Sequence, residues 1–417
     1  MITWPITPGG VGVSAKSACD ASSQPDAAEA ASHQLFATGR DSQAACQIRW
    51  APVSLRRPGP FLWTTKEVSC MEVYGIDVGY GFTKIVTPTG RRASFPSVCK
   101  SAASDGLTEI FGSAAADHRL RLMTPGSGFQ EWRVGRSALA ADAIRSWSTS
   151  GSARADYPLL VMAVLATVGA RGRVGIAVGL PLSVYLDKSE QRALSISLEG
   201  LSGLVGLDGR QPEEIEIASA SVYPQALGAY FSFVATPGGS ALAQQEIGVV
   251  DIGYRTTDYL VVRPQGGKMR PDMELSGSID TGIGDAMAAI GKSLAEDHRL
   301  SFPLPGTSIE EALLGNGTIG IRGQVVNVQP AYRVRVEKLG QEITETLRHT
   351  WAKRLDRLAG IVVAGGGGAA VQPFLGLPGS ALIADPVYAN AKGFLLLTRV
   401  ERDRKVSDAA DGGPITA

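Results

Sequence analysis

Apolar residues in this chain gather into short strand-like runs that stop at glycine turns, and one such arrangement occurs twice. Val73-Tyr74-Gly75-Ile76 leads into Asp77-Val78-Gly79-Tyr80-Gly81-Phe82-Thr83-Lys84 and resumes as Ile85-Val86. Ile247-Gly248-Val249-Val250 leads into Asp251-Ile252-Gly253-Tyr254-Arg255-Thr256-Thr257-Asp258 and resumes as Tyr259-Leu260-Val261-Val262. Each reads as a strand, a tight turn and a returning strand. Because aspartate, a β-branched residue, glycine and tyrosine recur in register, the chain carries an internal duplication.

Helical periods fall between and after these hairpins. Leu159 to Ala170 is nearly continuous apolar sequence and is followed by the strand Val174 to Pro181. That length is too short to span a bilayer, so it predicts a helix feeding a sheet inside a core. The segment Tyr223 to Ala229 predicts the start of a further helix. The spacing of Val336, Leu339, Ile343, Leu347, Trp351 and Leu355 predicts an amphipathic helix packed on the second half. Turns are expected at Pro88-Thr89-Gly90 and Pro264-Gln265-Gly266-Gly267. Two stretches depart from the repeated plan, about 96–150 and about 285–335, and read as insertions.

The chemistry follows from the turns. A carboxylate at a strand end, beside a glycine turn whose N–H groups point outward, suits a hydrated metal ion and a phosphate. One such turn alone is ordinary hairpin chemistry, but a third element reinforces the pair. Ile361-Val362-Val363-Ala364 runs into Gly365-Gly366-Gly367-Gly368 and then into helix-compatible residues. Glycines at a strand-to-helix junction let backbone approach a ligand at the positive end of a helix.

Together these three elements resemble the actin-like ATPase superfamily. The hairpins match its phosphate-1 and phosphate-2 motifs and the glycine junction its adenosine motif, over about residues 71–400. Val222 to Ala229 and Asp385 to Gly393 fit the helices that connect its domains. Tyr80-Gly81-Phe82-Thr83-Lys84, Trp132 to Ala138 and Ser276 to Asp285 bring the likeness closest to the prokaryotic ParM-type proteins that segregate plasmids. The resemblance implies an α/β, two-lobed actin/ribonuclease-H-like fold, with duplicated βββαβα domains around a nucleotide cleft. Lobe I is expected over 71–225, lobe II over 226–384, a returning helix of lobe I over 385–400 and a flexible tail over 401–417.

The same resemblance implies roles. Asp77 and Asp251 would face each other across the cleft and hold Mg2+ through water. Lys84 would offset phosphate charge, unless it is a solvated strand residue. Gly79, Tyr80 and Gly81, with Gly253, Tyr254 and Arg255, would cradle phosphates through backbone N–H groups. Thr83 belongs to the first cradle. Thr256 or Thr257 would add a hydroxyl to the second, since alternation turns only one of them inward. Gln225, entering the connecting helix after Pro224, would align the attacking water. Gly282, Gly284, Gly365, Gly366 and Gly367 would meet the base, and Asp280 or Asp285 the ribose or metal. ATP is implied as the ligand, with GTP left open.

Composition narrows the setting. Lysine plus arginine and aspartate plus glutamate both total 40, so no global basic field draws in nucleic acid. Any DNA contact is therefore expected through a DNA-binding adaptor, with head-to-tail self-association as the direct partner. Cys19, Cys46, Cys70 and Cys99 lack metal-ligand spacing and read as reduced thiols of a cytoplasmic protein. Residues 1–70 are rich in alanine, serine, glycine and proline, and Met71 stands directly before the first motif strand. They are expected to be a disordered extension, or sequence ahead of the true start. A small-molecule kinase, a DnaK-like chaperone ATPase and an MreB- or FtsA-like scaffold remain as alternatives. No amphipathic membrane helix supports a membrane role.

Overall fold

The computed structural model describes residues 71–101, 118–123, 128–138, 156–266 and 268–410. The expectations for residues 1–70 and for Gly267 lie outside these, as does much of the stretch 96–150. The strands of the first half are β1 (Val73–Val78), β2 (Phe82–Val86), β3 (Arg92–Pro96), β4 (Cys99–Ser101), β5 (His118–Met123), β6 (Gln130–Val134), β7 (Gly172–Leu180), β8 (Ser202–Leu207) and β9 (Glu213–Pro224). Those of the second half are β10 (Ile247–Ile252), β11 (Thr257–Gln265), β12 (Lys268–Ile279), β13 (Thr318–Ile321), β14 (Gln324–Asn327), β15 (Gly360–Ala364) and β16 (Ser380–Leu382). The helices that matter below are α1 (Tyr157–Thr167), α2 (Leu182–Tyr185), α3 (Leu227–Val234), α4 (Ile283–Asp297), α5 (Gln329–Trp351) and α6 (Ala389–Ala410).

The duplication is visible in the sheets. A nine-stranded sheet runs β3-β2-β1-β7-β9-β8-β5-β6-β4, and a five-stranded sheet runs β12-β11-β10-β15-β16. The first five strands of the larger sheet repeat the smaller one. Each has an antiparallel meander (β1 to β3, β10 to β12) followed by two parallel strands. The remaining strands of the first half extend its sheet through β8, so the described part of the 96–150 insertion continues that sheet. The described part of the second insertion holds α4, a short helix and the β13–β14 hairpin.

Each sheet packs its own helices. The apolar α1 is buried along most of its length against Ile76, Ile85 and Ile176. On the other sheet, α4 and α5 bury Ile290, Leu339, Ile343 and Trp351 against Val250, Ile252 and Val363. The predicted helical stripe is thus core, with Leu355 just beyond α5 in a short 3-10 turn.

The chain passes between the sheets twice, and these crossings differ from the expectation. Val222 to Pro224 still belong to β9, and α3 begins only at Leu227. Gln225 therefore sits in the turn, not in the helix. Its neighbour Ala226 takes φ +67°, a left-handed conformation that costs an alanine roughly 1–2 kcal/mol. The second crossing leads into α6, which continues past residue 400 to Ala410, into the stretch expected to be a tail.

Both crossing helices meet at glycines. A Cβ on Gly393 would lie 1.7 Å from the Gly228 carbonyl oxygen, and one on Gly75 would lie 1.9 Å from the Ala391 oxygen. Phe394 fills the space beside Gly179 and Gly228. So α6 lies backbone-to-backbone against α3 and β1, and the two crossings behave as one joint. Gly393→Ala is expected to lower stability by about 3 kcal/mol or more, because the obstacle is main chain and cannot rotate away. Gly320→Ala, with open space around it, is the control. Thermal denaturation of both variants checks this, and equal melting temperatures would refute the close-packed joint.

Candidate functional site

The two hairpins are closed alike. Gly79 N–H donates to the Phe82 carbonyl at 3.2 Å, and Gly253 N–H donates to the Thr256 carbonyl at 2.8 Å. Those glycine amides are used in the turns; of the residues between, Tyr80, Tyr254 and Arg255 are half-buried and Gly81 is buried. Strand register repeats as well: Asp77 stands opposite Lys84, and Asp251 opposite Asp258.

All four of these side chains are buried. Lys84 Nζ lies 2.8 Å from Asp77 Oδ2, so it is an ion-pair partner of that aspartate and not a solvated strand residue. Burial opposes its charge, but Asp77 and Asp251 outweigh that and raise its pKa. Gln225 Nε2 donates to Asp77 Oδ1 at 2.9 Å. The next residue turns the other way: the Ala226 N–H donates to Asp251. Asn390, from the first turn of α6, donates Nδ2 to Asp251 Oδ2 at 2.6 Å and accepts from the Ala229 N–H at 3.1 Å. Both crossings thus end on the carboxylates. Asn390 and the Ala226 amide were not legible as site groups in the sequence; the only signal was their place in the segments joining the two halves.

Three buried carboxyls share one lysine, and two of them, Asp251 and Asp258, hold their protons more tightly than usual. Burial pushes Asp251 up to about 6, and the Asp77 charge adds to the shift. Burial pushes Asp258 up to about 7, with Asp251 and Asp77 raising it further. A divalent cation fits this donor set, because it would supply the missing positive charge. Among the described residues no group of three or more His, Cys, Asp or Glu forms a closed cage. A magnesium ion here would take its other ligands from water and phosphate, as that ion prefers.

The remaining expected residues divide into two groups. Gly365 has φ +89°, and a Cβ there would lie 2.5 Å from Asp251 Oδ1, so glycine lets the third motif pass directly behind that carboxylate. Gly365 N–H and Gly367 N–H are bound to the Pro386 and Ile252 carbonyls, whereas Gly366 faces open space. Thr256 is half-exposed at the second turn.

Others are engaged elsewhere. Thr83 is fully buried with its hydroxyl 2.9 Å from that of Ser97, and Thr257 donates to the Thr281 carbonyl. Gly282 and Gly284 are packed by Tyr254, whose backbone or ring would meet a Cβ at either position. Asp285 caps α4 by accepting from Gly282 N–H at 2.9 Å. Asp280 is exposed and pairs with Arg255, whose guanidinium also lies over the Tyr80 ring. Tyr254 packs on Gly81, so the two hairpins touch across the cleft.

The halves match two known families in succession. Residues 75–228 match the family described as "Actin like proteins N terminal domain", and residues 249–376 match "Archaeal actin homologue MreB-like, C-terminal". This is an actin-like protein. It is similar to the archaeal actin homolog of Thermoplasma acidophilum, at 27% identity over 307 residues, which is 71% of this chain and 88% of that protein. An archaeal actin homolog solved in complex with ADP covers 79% of this chain and all of its own, with a TM-score of 0.64 at 25% identity. A ParM filament from Clostridium botulinum covers 79% of this chain and 99% of its own, with a TM-score of 0.69 at 22% identity. At that identity the ParM likeness speaks for the fold alone. Among the described residues, no helix of this actin-like protein is long and apolar enough to cross a membrane.

The carboxyl shifts have a measurable consequence. Asp251 and Asp258 hold protons more tightly when folded than at their ordinary value of 3.8. Their contribution to the stability of the ligand-free protein is therefore full below about pH 4 and is lost as pH rises through about 6 to 7. Melting temperatures at pH 5.5 and 8.5 should show a loss that is smaller in Asp258→Asn than in the wild type. Equal losses in both would refute the assignment of the shift to Asp258.

Proposed function

We propose that this actin-like protein binds Mg-ATP between the two hairpins, hydrolyses it, and assembles head to tail into filaments in the cytoplasm. The observation that carries this reading is the pair of buried carboxylates, Asp77 and Asp251, each beside a glycine turn. The archaeal actin homolog solved in complex with ADP supports nucleotide binding, and the filament described for the ParM structure supports self-association.

Asp77 and Asp251 would hold Mg2+ through water, and the ion would offset the phosphate charge. The turn residues Tyr80, Gly81, Tyr254 and Arg255 would give N–H groups to phosphate oxygens, with Gly79 and Gly253 shaping the loops. Thr256 would add a hydroxyl. Gly366, Gly367 and Gly365 would border the nucleoside, with the α4 start at Gly282 to Asp285 on its other side. Gln225 has its Nε2 committed to Asp77, so its carbonyl oxygen is the atom able to accept a hydrogen bond from an attacking water and orient it. Positioning of that kind is the main task in phosphoryl transfer. Purine choice is open, and GTP is tested beside ATP.

Head-to-tail contacts are heterologous and build open filaments. We assign plasmid segregation through a DNA-binding adaptor as the use of that filament, on the ParM-type hairpin. The MreB-like description of the second half favours a scaffold actin as the second reading.

Light scattering and electron microscopy of the full chain with no nucleotide, ATP-Mg and GTP-Mg, with phosphate release followed in parallel, test the proposal. Filaments that require nucleotide are expected, and hydrolysis without assembly at any concentration would contradict the filament reading. Asp251→Ala is expected to lose Mg-nucleotide binding. Gln225→Ala should bind normally but turn over about 100-fold more slowly. Unchanged affinity in the first or unchanged turnover in the second would overturn those roles.

A further inference from the structure

The duplicated hairpins carry opposite charges at one equivalent buried position. Opposite Asp77 stands Lys84, which satisfies its own hairpin's carboxylate. Opposite Asp251 stands Asp258, which cannot pair with another carboxylate and turns to the other half of the molecule. Its Oδ1 accepts from the Leu182 N–H of α2 at 3.0 Å, and also from the Ser278 hydroxyl. Ser278 is the cross-strand partner of Asp258 on β12, and its Oγ in turn accepts from the Ser183 N–H at 3.1 Å. Two adjacent side chains of the second sheet thus hold two consecutive amides that follow β7 of the first sheet.

We propose that Asp258 and Ser278 form a positioning clamp that fixes the angle between the two lobes, and with it the separation of the two hairpins. The proposal rests on the nucleotide-cleft reading and adds to it residues that touch no ligand. The first amides of a helix have no partner within it, so Leu182 and Ser183 need acceptors from elsewhere. Pro181, just before them, has no N–H of its own to compete. Leu182 buries its side chain with Ala226, Tyr230, Leu260 and Val262, which places the clamp against the first crossing. Asp258 is only 1% exposed, so water cannot replace a lost partner there without the lobes parting. Such a contact has a made and a broken state with little between them, and β11 joins it directly to the second hairpin.

The test uses the full chain, labelled on each lobe for interlobe distance measurement, with Ser278→Ala and Ser278→Thr. Ser278 is half-buried, so both variants are expected to fold, which a buried Asp258 variant need not do. The alanine variant should show a broader, longer interlobe distance without nucleotide. It should also lower kcat for ATP hydrolysis about tenfold with little change in KM, and threonine, which restores the hydroxyl, should recover both. An alanine variant with the wild-type distance distribution, or a threonine variant no better than alanine, would overturn the clamp. If the wild type neither binds nor hydrolyses nucleotide, the functional reading fails by itself, and the distances still decide the clamp.

Discussion

Everything in this molecule turns on holding like charges together out of water. Asp77 and Asp251 end equivalent strands and are both almost fully buried, a state that is costly unless each charge is met by hydrogen bonds or by an opposite charge. The fold meets them asymmetrically. Asp77 receives a lysine from its own hairpin and an amide from Gln225. Among the described residues Asp251 receives only neutral donors, the Ala226 amide and Asn390, a shortfall of positive charge that leaves burial, and then the Asp77 charge, to raise its pKa.

That shortfall connects structure to function. The neutral donors to the two carboxylates come from the two segments that cross between the sheets, and those segments are locked to each other where Gly228 meets Gly393. A change in charge at the carboxylates therefore acts on the joint, not on a loose surface loop. The left-handed Ala226 fits the same logic. Strain at one residue sends Gln225 to one aspartate and the following amide to the other, and such strain persists only where the surroundings over-determine it. Tyr254 against Gly81 and Arg255 over Tyr80 bring the hairpins into contact on the cleft side.

Much of this was legible in the chain because it depends on local pattern. The paired hairpins, the strand feeding the four glycines and the stripe from Val336 to Trp351 are short-range signals that the folded protein keeps. What escaped depends on partners distant in sequence. Asn390 looks like any helix-start asparagine until α6 brings it to Asp251. Asp258 reads as a strand residue until β7 delivers Leu182. Gly282 and Gly284 also carry a packing role that the sequence did not show, since Tyr254 occupies the space their missing side chains leave. Gln225 was expected to enter the connecting helix just after Pro224, whereas β9 runs through that proline and the helix starts later. The length of α6 was missed because its outer turns carry charged residues without an apolar stripe.

The most direct test of the account is calorimetric titration of ATP into the full-length protein, in excess Mg2+ and in excess EDTA. If buried carboxylates short of positive charge create the site, affinity should fall at least about 100-fold without the ion, since two carboxylates and a triphosphate would then repel one another. Equal affinity in the two conditions would contradict the claim that Asp77 and Asp251 face the phosphates through a shared cation.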